Sequence, residues 1–332
     1  MEEDDQVKQR SLSMQEDVQA SFSRPGQRRT RREQFLQQMY KILPWSQMLG
    51  LIEPHYPKAG NGRPPIGLER MLRIHFLQHW FNLADEACED ALYDSAAFRS
   101  FVGLDLGVER APDATTLLKF RRLLEQHQLG EGLFAQVNGH LKASGVKVGT
   151  GTIVDATIIS APSSTKNRRQ ARDPEMHQTK KSGSWYFGMK LHIGTDSRSG
   201  VVHSAEVSAA NMHDSKLLPQ LMHGGEQRLY GDSAYRGPKA REAMQQVSAQ
   251  VRDFTNERGH WRQPLDERQK LKNRAKSGVR AKVEYVFLVI KKLWGFTKVR
   301  YRGLAKNRNR LLTSLALANL FIMRGRLARL GG

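Results

Sequence analysis

The stretch TIVDATII, residues 152–159, decides how this chain folds. It is β-branched and apolar on both faces, a pattern typical of a strand buried inside a sheet. Asp155 interrupts the pattern, and an unpaired carboxylate buried there would cost several kcal/mol or become protonated. We therefore expect a central strand in which a cation offsets the charge of Asp155.

Strand and helix patterns alternate after this strand. Further strands are predicted at 185–196, 200–210, 228–235 and 249–255, and helices at 213–222, at 238–247 and around Glu284. This chain order predicts an α/β, RNase H-like fold, with a mixed five-stranded sheet flanked by helices. Asp232 ends the short strand LYGD, where α/β sheets bind ligands, on a strand expected beside that of Asp155.

Before residue 145 the apolar residues recur at helical spacing. Helices are predicted at 66–83, 85–101, 114–129 and 132–144, and Asp113 is the expected N-cap of the third. We predict a mobile polar tail at 1–26, an all-helical domain at 27–145 and the sheet domain at 146–326.

The charge of the chain points to a polyanionic partner. The 332 residues include 53 Lys and Arg against 33 Asp and Glu, a net charge of +20. Binding to phosphates releases counterions and would favour association with nucleic acid. A merely basic housekeeping protein is the alternative, but the charge is uneven: the chain opens with MEEDDQ, and its last third is overwhelmingly basic.

Compartment and membrane expectations follow from Cys88 and from the apolar run at 311–323. A single cysteine excludes internal disulfides and thiolate zinc clusters, which fits a reducing cytosol. The run LLTSLALANLFIM is too short to span a bilayer and is interpreted as a buried helix. We expect a cytoplasmic protein with no membrane association.

Glu284 is the only acid among eighteen Lys and Arg between Arg268 and the C-terminus. It lies in an amphipathic helix pattern whose apolar stripe comprises Val283, Val286, Phe287, Ile290, Leu293 and Trp294. Arg280 and Lys291 are four and seven residues from Glu284, which places all three on one helix face. The pattern predicts a carboxylate among cations that grip phosphates.

Asp155, Asp232 and Glu284 form the predicted chemical set. Phosphodiester chemistry with two Mg²⁺ ions needs hard oxygen ligands and open coordination positions on both sides of the scissile phosphate. One ion would activate the attacking water or 3′-hydroxyl, and the other would stabilise the departing oxygen. Each acid alone is more simply a cap or turn residue; the combination favours catalysis.

The motifs VDAT (154–157), ANMHDS (210–215), GDSAY (231–235) and RAKVE (280–284) resemble those of DDE transposases of bacterial insertion sequences, in particular the insertion-sequence-five family. The resemblance extends over most of the chain. It implies that Asp155, Asp232 and Glu284 are the catalytic and metal-binding DDE residues. Arg280 and Lys291 match the cations of the family's Y-x2-R-x3-E-x6-K signature, whereas its tyrosine position is Ser277.

Further DNA contacts are predicted from runs of cations. These residues are Arg28, Arg29, Arg31 and Arg32, then Lys119, Arg121 and Arg122, and finally Lys298, Arg300 and Arg302. The first group is equally compatible with a solvated helix start. The 113–127 helix is either a recognition helix or a core helix packed through Leu117, Phe120 and Leu124. The loop 160–184, with six basic residues, either contacts the strand leaving the site or is solvated.

We interpret the chain as a DNA transposase that binds the terminal inverted repeats of its element. With two Mg²⁺ or Mn²⁺ ions it would hydrolyse the phosphodiester at each 3′ end and join the 3′-hydroxyls to double-stranded target DNA. The resemblance implies at least a homodimer on DNA, and without a Gly-rich phosphate loop no nucleotide cofactor is expected. A nuclease without strand transfer and a domesticated, non-catalytic DNA-binding protein are the alternatives.

Overall fold

The computed structural model describes residues 29–61, 64–259 and 264–330. The predicted tail at 1–26 and the predicted DNA contact Arg28 lie outside these ranges. The described residues form two compact units: one contains the residues up to Leu129 and those from Arg324 onwards, and the other is Gly130–Met323.

The first unit is helical, as predicted for the N-terminal region. Its helices are Arg31–Ile42, Trp45–Ile52, Leu68–Trp80, Asp85–Asp94, Ala96–Val102 and Ala114–Gln126. Every residue from Met71 to Trp80 is buried, so the third helix forms the centre of this unit. The helix predicted at 85–101 is two helices, because Ser95 leaves the helical conformation and caps the second one.

The N-cap of the helix Ala114–Gln126 is Asp113, as predicted: its Oδ1 accepts a hydrogen bond from the Thr116 backbone N–H at 2.7 Å. Leu117, Phe120 and Leu124 are all buried on this helix. Core packing therefore accounts for its apolar stripe, which leaves only its opposite face for contacts with other molecules.

The second unit is built around a six-stranded mixed sheet. The strands are β1 (Gly151–Ser160), β2 (His177–Lys181), β3 (Ser184–Asp196), β4 (Val202–Ala209), β5 (Arg228–Tyr230) and β6 (Arg252–Asp253). Without β2 the order is β4-β3-β1-β5-β6, antiparallel among the first three strands and parallel among the last three. With helices at Leu129–Ala143, Pro238–Val247, Glu267–Leu288 and Leu304–Leu330, this is an RNase H-like fold.

The sequence does not predict strand β2, because its residues His-Gln-Thr-Lys-Lys show no apolar alternation and fall within the expected polar loop 160–184. It pairs with the start of β3 through a two-residue turn in which both residues have positive φ, Ser182 (49°) and Gly183 (82°). Such a turn matches the natural twist of a hairpin. Turn geometry therefore creates this strand without any buried side chain to drive it.

The Glu284 helix changes its geometry at its end. After Leu288 the chain forms a π-helical turn, Val289–Leu293, in which the Trp294 N–H donates to the Val289 carbonyl at 3.0 Å. This wider turn shifts the register by one residue. As a result Leu293 is 54% exposed, and its predicted place in the buried stripe is wrong, while the other five predicted residues are buried.

The C-terminal helix Leu304–Leu330 is longer than the predicted apolar run. By length and composition it could cross a membrane, which corrects the expectation that this segment is too short, but 67% of its apolar window is buried inside the structure. Asn319 shows how it is held: its Oδ1 accepts from the Val202 N–H at 2.9 Å, and its Nδ2 donates to Asn138 Oδ1 at 2.8 Å. Residues 311–320 of this helix are all buried, as predicted for the apolar run.

Candidate active site

Asp155 and Asp232 are neighbours because β1 and β5 run parallel. The register pairs Thr152 with Leu229 and Ile153 with Tyr230. Extending it by two residues brings Asp155 level with Asp232, which is the N-cap of the 3₁₀ turn Ser233–Tyr235. Asp155 lies within β1 and Asp232 lies two residues after β5, so the prediction that the two acids belong to adjacent strands is confirmed.

Glu284 completes the group from the helix Glu267–Leu288. Asp155, Asp232 and Glu284 line one cavity of about 440 Å³, which we call the carboxylate cavity. Arg280 and Lys291 line it too, so the predicted helix face is the one that meets the acids. Glu284 is exposed, and among the described residues no ion pair or hydrogen bond involves its carboxylate.

Asp155 is mostly buried, and its surroundings change its pKa. Burial raises the pKa of Asp155 to about 6, and the negative charges of Asp232 and Glu284 act in the same direction. The Arg280 guanidinium opposes this rise, with its Nη2 at 3.2 Å from Asp155 Oδ2. The expected cation beside Asp155 is therefore present, and it comes from the helix that carries Glu284.

Lys291 lies in the π-helical turn, and its ammonium is fixed on β1. Its Nζ donates to Thr157 Oγ1 at 3.1 Å and to the Ile158 carbonyl at 2.9 Å. Burial lowers the pKa of Lys291, and the nearby Lys181 and Lys292 lower it further. Because both of these hydrogen-bond partners are neutral, they do not cancel the charge of Lys291.

The donor set suits a divalent metal, although the site is not closed around one. Three carboxylates are hard ligands of the kind that Mg²⁺ and Mn²⁺ prefer, and their mutual repulsion at Asp155 is what a cation would relieve. Within residues 29–61, 64–259 and 264–330, no three His, Cys, Asp or Glu side chains converge closely enough to ligate a single ion. The three acids share a cavity, and Asp155 also accepts a hydrogen bond from Arg280 there.

The predicted contacts of the C-terminal basic segment lie at the far end of β1. Lys298 is exposed and forms an isolated parallel bridge with Ser160, the last residue of that strand. Arg300 and Arg302 line a second cavity together with residues of the loop after β1. A DNA contact by any of these three residues stays a prediction.

Some of the DNA-binding residues predicted in the N-terminal region are exposed, and others contact side chains of the protein itself. Arg31, Lys119 and Arg122 are exposed. Arg29 donates to Gln37, Arg32 lies 5.1 Å from the centre of the Phe98 ring, and Arg121 pairs with Asp85 at 3.1 Å and with Glu125 at 3.6 Å. Their roles on DNA stay predictions, and internal contacts already account for the last three.

Three residues at the site were missed by sequence reasoning. Lys181 and Lys292 line the carboxylate cavity, and the Lys-Lys pair just before the Ser-Gly turn was the available signal for the first. Tyr235 is fully buried, its hydroxyl has no hydrogen-bond partner among the described residues, and burial together with nearby acids raises its pKa well above 10. Its place in the GDSAY motif was the only signal for it.

Comparison with known proteins assigns the family. A family model described as a transposase DDE domain matches residues 147–320, and one described as a transposase domain (DUF772) matches residues 24–123. A cryo-EM structure of the piggyBac transposase synaptic complex with hairpin DNA is 10% identical, over 88% of this chain and 73% of that one; its TM-score of 0.47 is too low to bear on function. Because the first match spans more than half of the chain, this protein belongs to the family of transposases with a DDE domain.

Proposed function

We propose that this transposase cuts DNA at both 3′ ends of its own insertion sequence and joins those ends to a target, as a member of the insertion-sequence-five family. The observation that carries the proposal is the carboxylate cavity, in which Asp155, Asp232 and Glu284 meet beside Arg280 and Lys291. Acids from two adjacent strands and one helix, surrounded by cations, can hold both metal ions and phosphate.

The three carboxylates would hold two Mg²⁺ or Mn²⁺ ions, which would activate the attacking oxygen and stabilise the departing one. Asp155 is the best placed to be shared between them, since a central strand fixes its position. Arg280 neutralises Asp155 in the protein alone and is free to turn to a phosphate once that carboxylate has another partner. Lys291, anchored on β1, would hold a phosphate beside the scissile one.

In each of the two chemical steps, one bond from oxygen to phosphorus forms and one such bond breaks. In hydrolysis, a water oxygen bonds to phosphorus and the bond to the 3′ oxygen breaks, which leaves a 3′-hydroxyl and a 5′-phosphate. In joining, the 3′-hydroxyl loses its proton and its oxygen attacks a target phosphodiester, whose own 3′ oxygen leaves and takes up a proton. No nucleotide cofactor is required, because one phosphodiester replaces another.

The proposed partners are the terminal inverted repeats and the double-stranded target DNA, in the cytoplasm of a bacterium. Two ends must be cut together, so we propose a homodimer or a larger assembly on DNA. The helical domain at 27–145 would bind the repeats, and the domain at 146–326 would carry the chemistry.

The first test is cleavage of a supercoiled plasmid that carries the DNA flanking this gene. Wild type, Glu284→Gln and the control Glu267→Gln are compared with Mg²⁺, Mn²⁺ or EDTA. Glu267 lies on the same helix but is 85% exposed and pairs with Lys270, so its change removes equal charge away from the cavity. We expect metal-dependent nicks at defined 3′ ends, lost about 10³-fold in Glu284→Gln alone. Wild-type cleavage by Glu284→Gln would contradict the proposal.

Two further assays separate the alternatives. Pre-cleaved ends bearing a 3′-hydroxyl should be joined to target DNA; failure to join them under cleaving conditions would identify a nuclease without strand transfer. The pairing of Arg280 with Asp155 favours the other alternative, a DNA-binding protein without chemistry. Identical Mn²⁺ titrations of wild type and Asp155→Ala would establish that alternative.

A further inference from the structure

The second unit contains another cavity, of about 410 Å³. It lies at the C-terminal end of β1, where Ala161 follows the strand. Five arginines line it: Arg168, Arg169 and Arg172 from the loop after β1, and Arg300 and Arg302 from the segment before the C-terminal helix. We call it the arginine cavity. Two chain segments about 130 residues apart thus contribute charge of one sign to one concave surface.

Among the residues that line this cavity, arginines outnumber acids by five to one. Asp173 is the only acid among the described residues that line it. Its carboxylate already accepts hydrogen bonds from the Gly303 N–H at 2.7 Å and the Glu175 N–H at 3.1 Å. Within the described part of the chain, neither Arg168 nor Arg169 forms an ion pair. Clustered cations without acids are unfavourable alone and suit a polyanionic ligand.

The wall of the arginine cavity is held in shape. Arg302 Nη2 donates to the Arg172 carbonyl at 2.8 Å, and Arg172 lies over the Phe187 ring at 5.4 Å. Glu175 accepts from the Leu304 N–H at 2.8 Å. These contacts tie the loop to the segment, so little ordering would be needed when a ligand binds.

Strand β1 connects the two cavities. Asp155 lines the first, and Ser160, five residues later, pairs with the segment of the second: its N–H donates to the Thr297 carbonyl at 3.1 Å, and its carbonyl accepts from the Val299 N–H at 2.9 Å. Five residues of strand span about 17 Å. Lys291, bound to Thr157 and Ile158, lies between the ends of this path.

We propose that the arginine cavity binds backbone phosphates of the DNA strand near the bond that is cut. A length of about 17 Å corresponds to about five nucleotides of one B-form strand, and to fewer when the strand is extended. The strand would run from the carboxylates past Lys291 and along β1 into the cavity. This assignment rests on the proposed function, since the carboxylate cavity defines where the path begins.

The experiment measures the salt dependence of DNA binding in EDTA, where no cleavage occurs. The variant Arg168→Gln/Arg169→Gln is compared with wild type and with Lys239→Gln/Arg241→Gln, which removes equal charge from an exposed helix of the same unit. The logarithm of the binding constant falls as the logarithm of the salt concentration rises, and each lost phosphate contact makes this slope shallower by about 0.9. We expect a loss of about one to two units in the first variant and none in the second; equal slopes in wild type and the first variant would overturn the proposal.

Three further arms make the outcome specific. Arg168→Glu/Arg169→Glu should reduce the slope more than the neutral change does. Inorganic phosphate at millimolar concentration should not compete with DNA, and competition would identify a small-anion site instead. RNA of the same sequence should bind more weakly than DNA, and a preference for RNA would also contradict the assignment. Plasmid cleavage is scored separately, so intact cleavage with an unchanged slope would overturn this inference while leaving the proposed function standing.

Discussion

Two groups of cations in this protein differ in their surroundings, one inside the helical unit and one near β1 of the sheet unit. In the helical unit, arginines are part of the internal structure: Arg73 is 3% exposed and donates to the Phe101 carbonyl, to the Tyr40 hydroxyl and to Glu69. Arg70 pairs with Glu109 at 2.7 Å and donates to two backbone carbonyls. These charges are satisfied and are not available to a ligand.

In the sheet unit, the cations near β1 have few acidic partners. Lys291 donates only to neutral oxygens, and Arg280 pairs with one candidate metal ligand, Asp155. Arg168 and Arg169 form no ion pair with any described residue. The comparison shows that the number of Lys and Arg residues alone does not tell which cations are available to a ligand, because that depends on whether acids lie beside them.

The largest effect should come from Asp155→Asn. We expect cleavage to fall by about 10³-fold, because the variant lacks one of the three proposed metal ligands. The free energy of unfolding, in contrast, should increase in this variant. Folding raises the pKa of Asp155 from its ordinary 3.8 to about 6, so its ionisation weakens the folded state as pH rises between those values. In EDTA at pH 8 the variant should be more stable by about 1–3 kcal/mol.

Urea unfolding of both proteins from pH 4 to pH 8 checks this sign. The difference in free energy of unfolding should be near zero at pH 4 and should grow towards pH 7. A variant that is less stable than wild type at pH 8 would show that the ion pair with Arg280 outweighs the cost of burial.

The next effect tests the structural use of arginine in the helical unit. Arg73→Met leaves Glu69 and the Phe101 carbonyl without their partner, and we expect a loss of about 3 kcal/mol in unfolding free energy. Arg31→Met, on an exposed residue, should change stability by less than about 0.5 kcal/mol. Denaturant titrations measure both, and equal effects would remove the distinction between engaged and exposed arginines.

A smaller effect is expected on the helix Ala114–Gln126, which carries both kinds of cation. Lys119→Gln/Arg122→Gln should lower the salt slope of DNA binding by about one to two units, because both side chains are exposed. Arg121→Gln should leave the slope unchanged and reduce stability by about 1 kcal/mol, since Asp85 and Glu125 lose their ion pairs with Arg121. An unchanged slope in Lys119→Gln/Arg122→Gln would indicate that this helix does not bind DNA. A lower slope in Arg121→Gln would indicate that a cation in an ion pair can also bind DNA.

The smallest effect is expected for Leu293, in the π-helical turn that also contains Lys291. Leu293→Ala should change unfolding free energy by less than about 0.5 kcal/mol, because the side chain is 54% exposed. Ile290→Ala, three residues earlier and buried, should cost about 2–5 kcal/mol. Equal costs would mean that the helix continues in α-helical register and that Lys291 is placed differently.

The sequence by itself determined the central strand, the neighbouring acids and the charge. The apolar, β-branched run TIVDATII predicts a strand buried inside a sheet. LYGD predicts a strand that ends at Asp232, and the four-residue spacing of Arg280 and Glu284 predicts that both lie on one helix face. These are local patterns of burial and period, which a sequence carries without reference to the rest of the chain. They were enough to predict the RNase H-like fold and the three acids that share a cavity.

Only the tertiary structure decided which cations are free. Arg121 and Arg122 are adjacent in the sequence, yet one meets Asp85 from another helix and the other is exposed. Likewise β2 depends on pairing with β3, and the arginine cavity joins segments about 130 residues apart. Pairing depends on distances between residues far apart in the chain, and no local pattern of residues contains those distances.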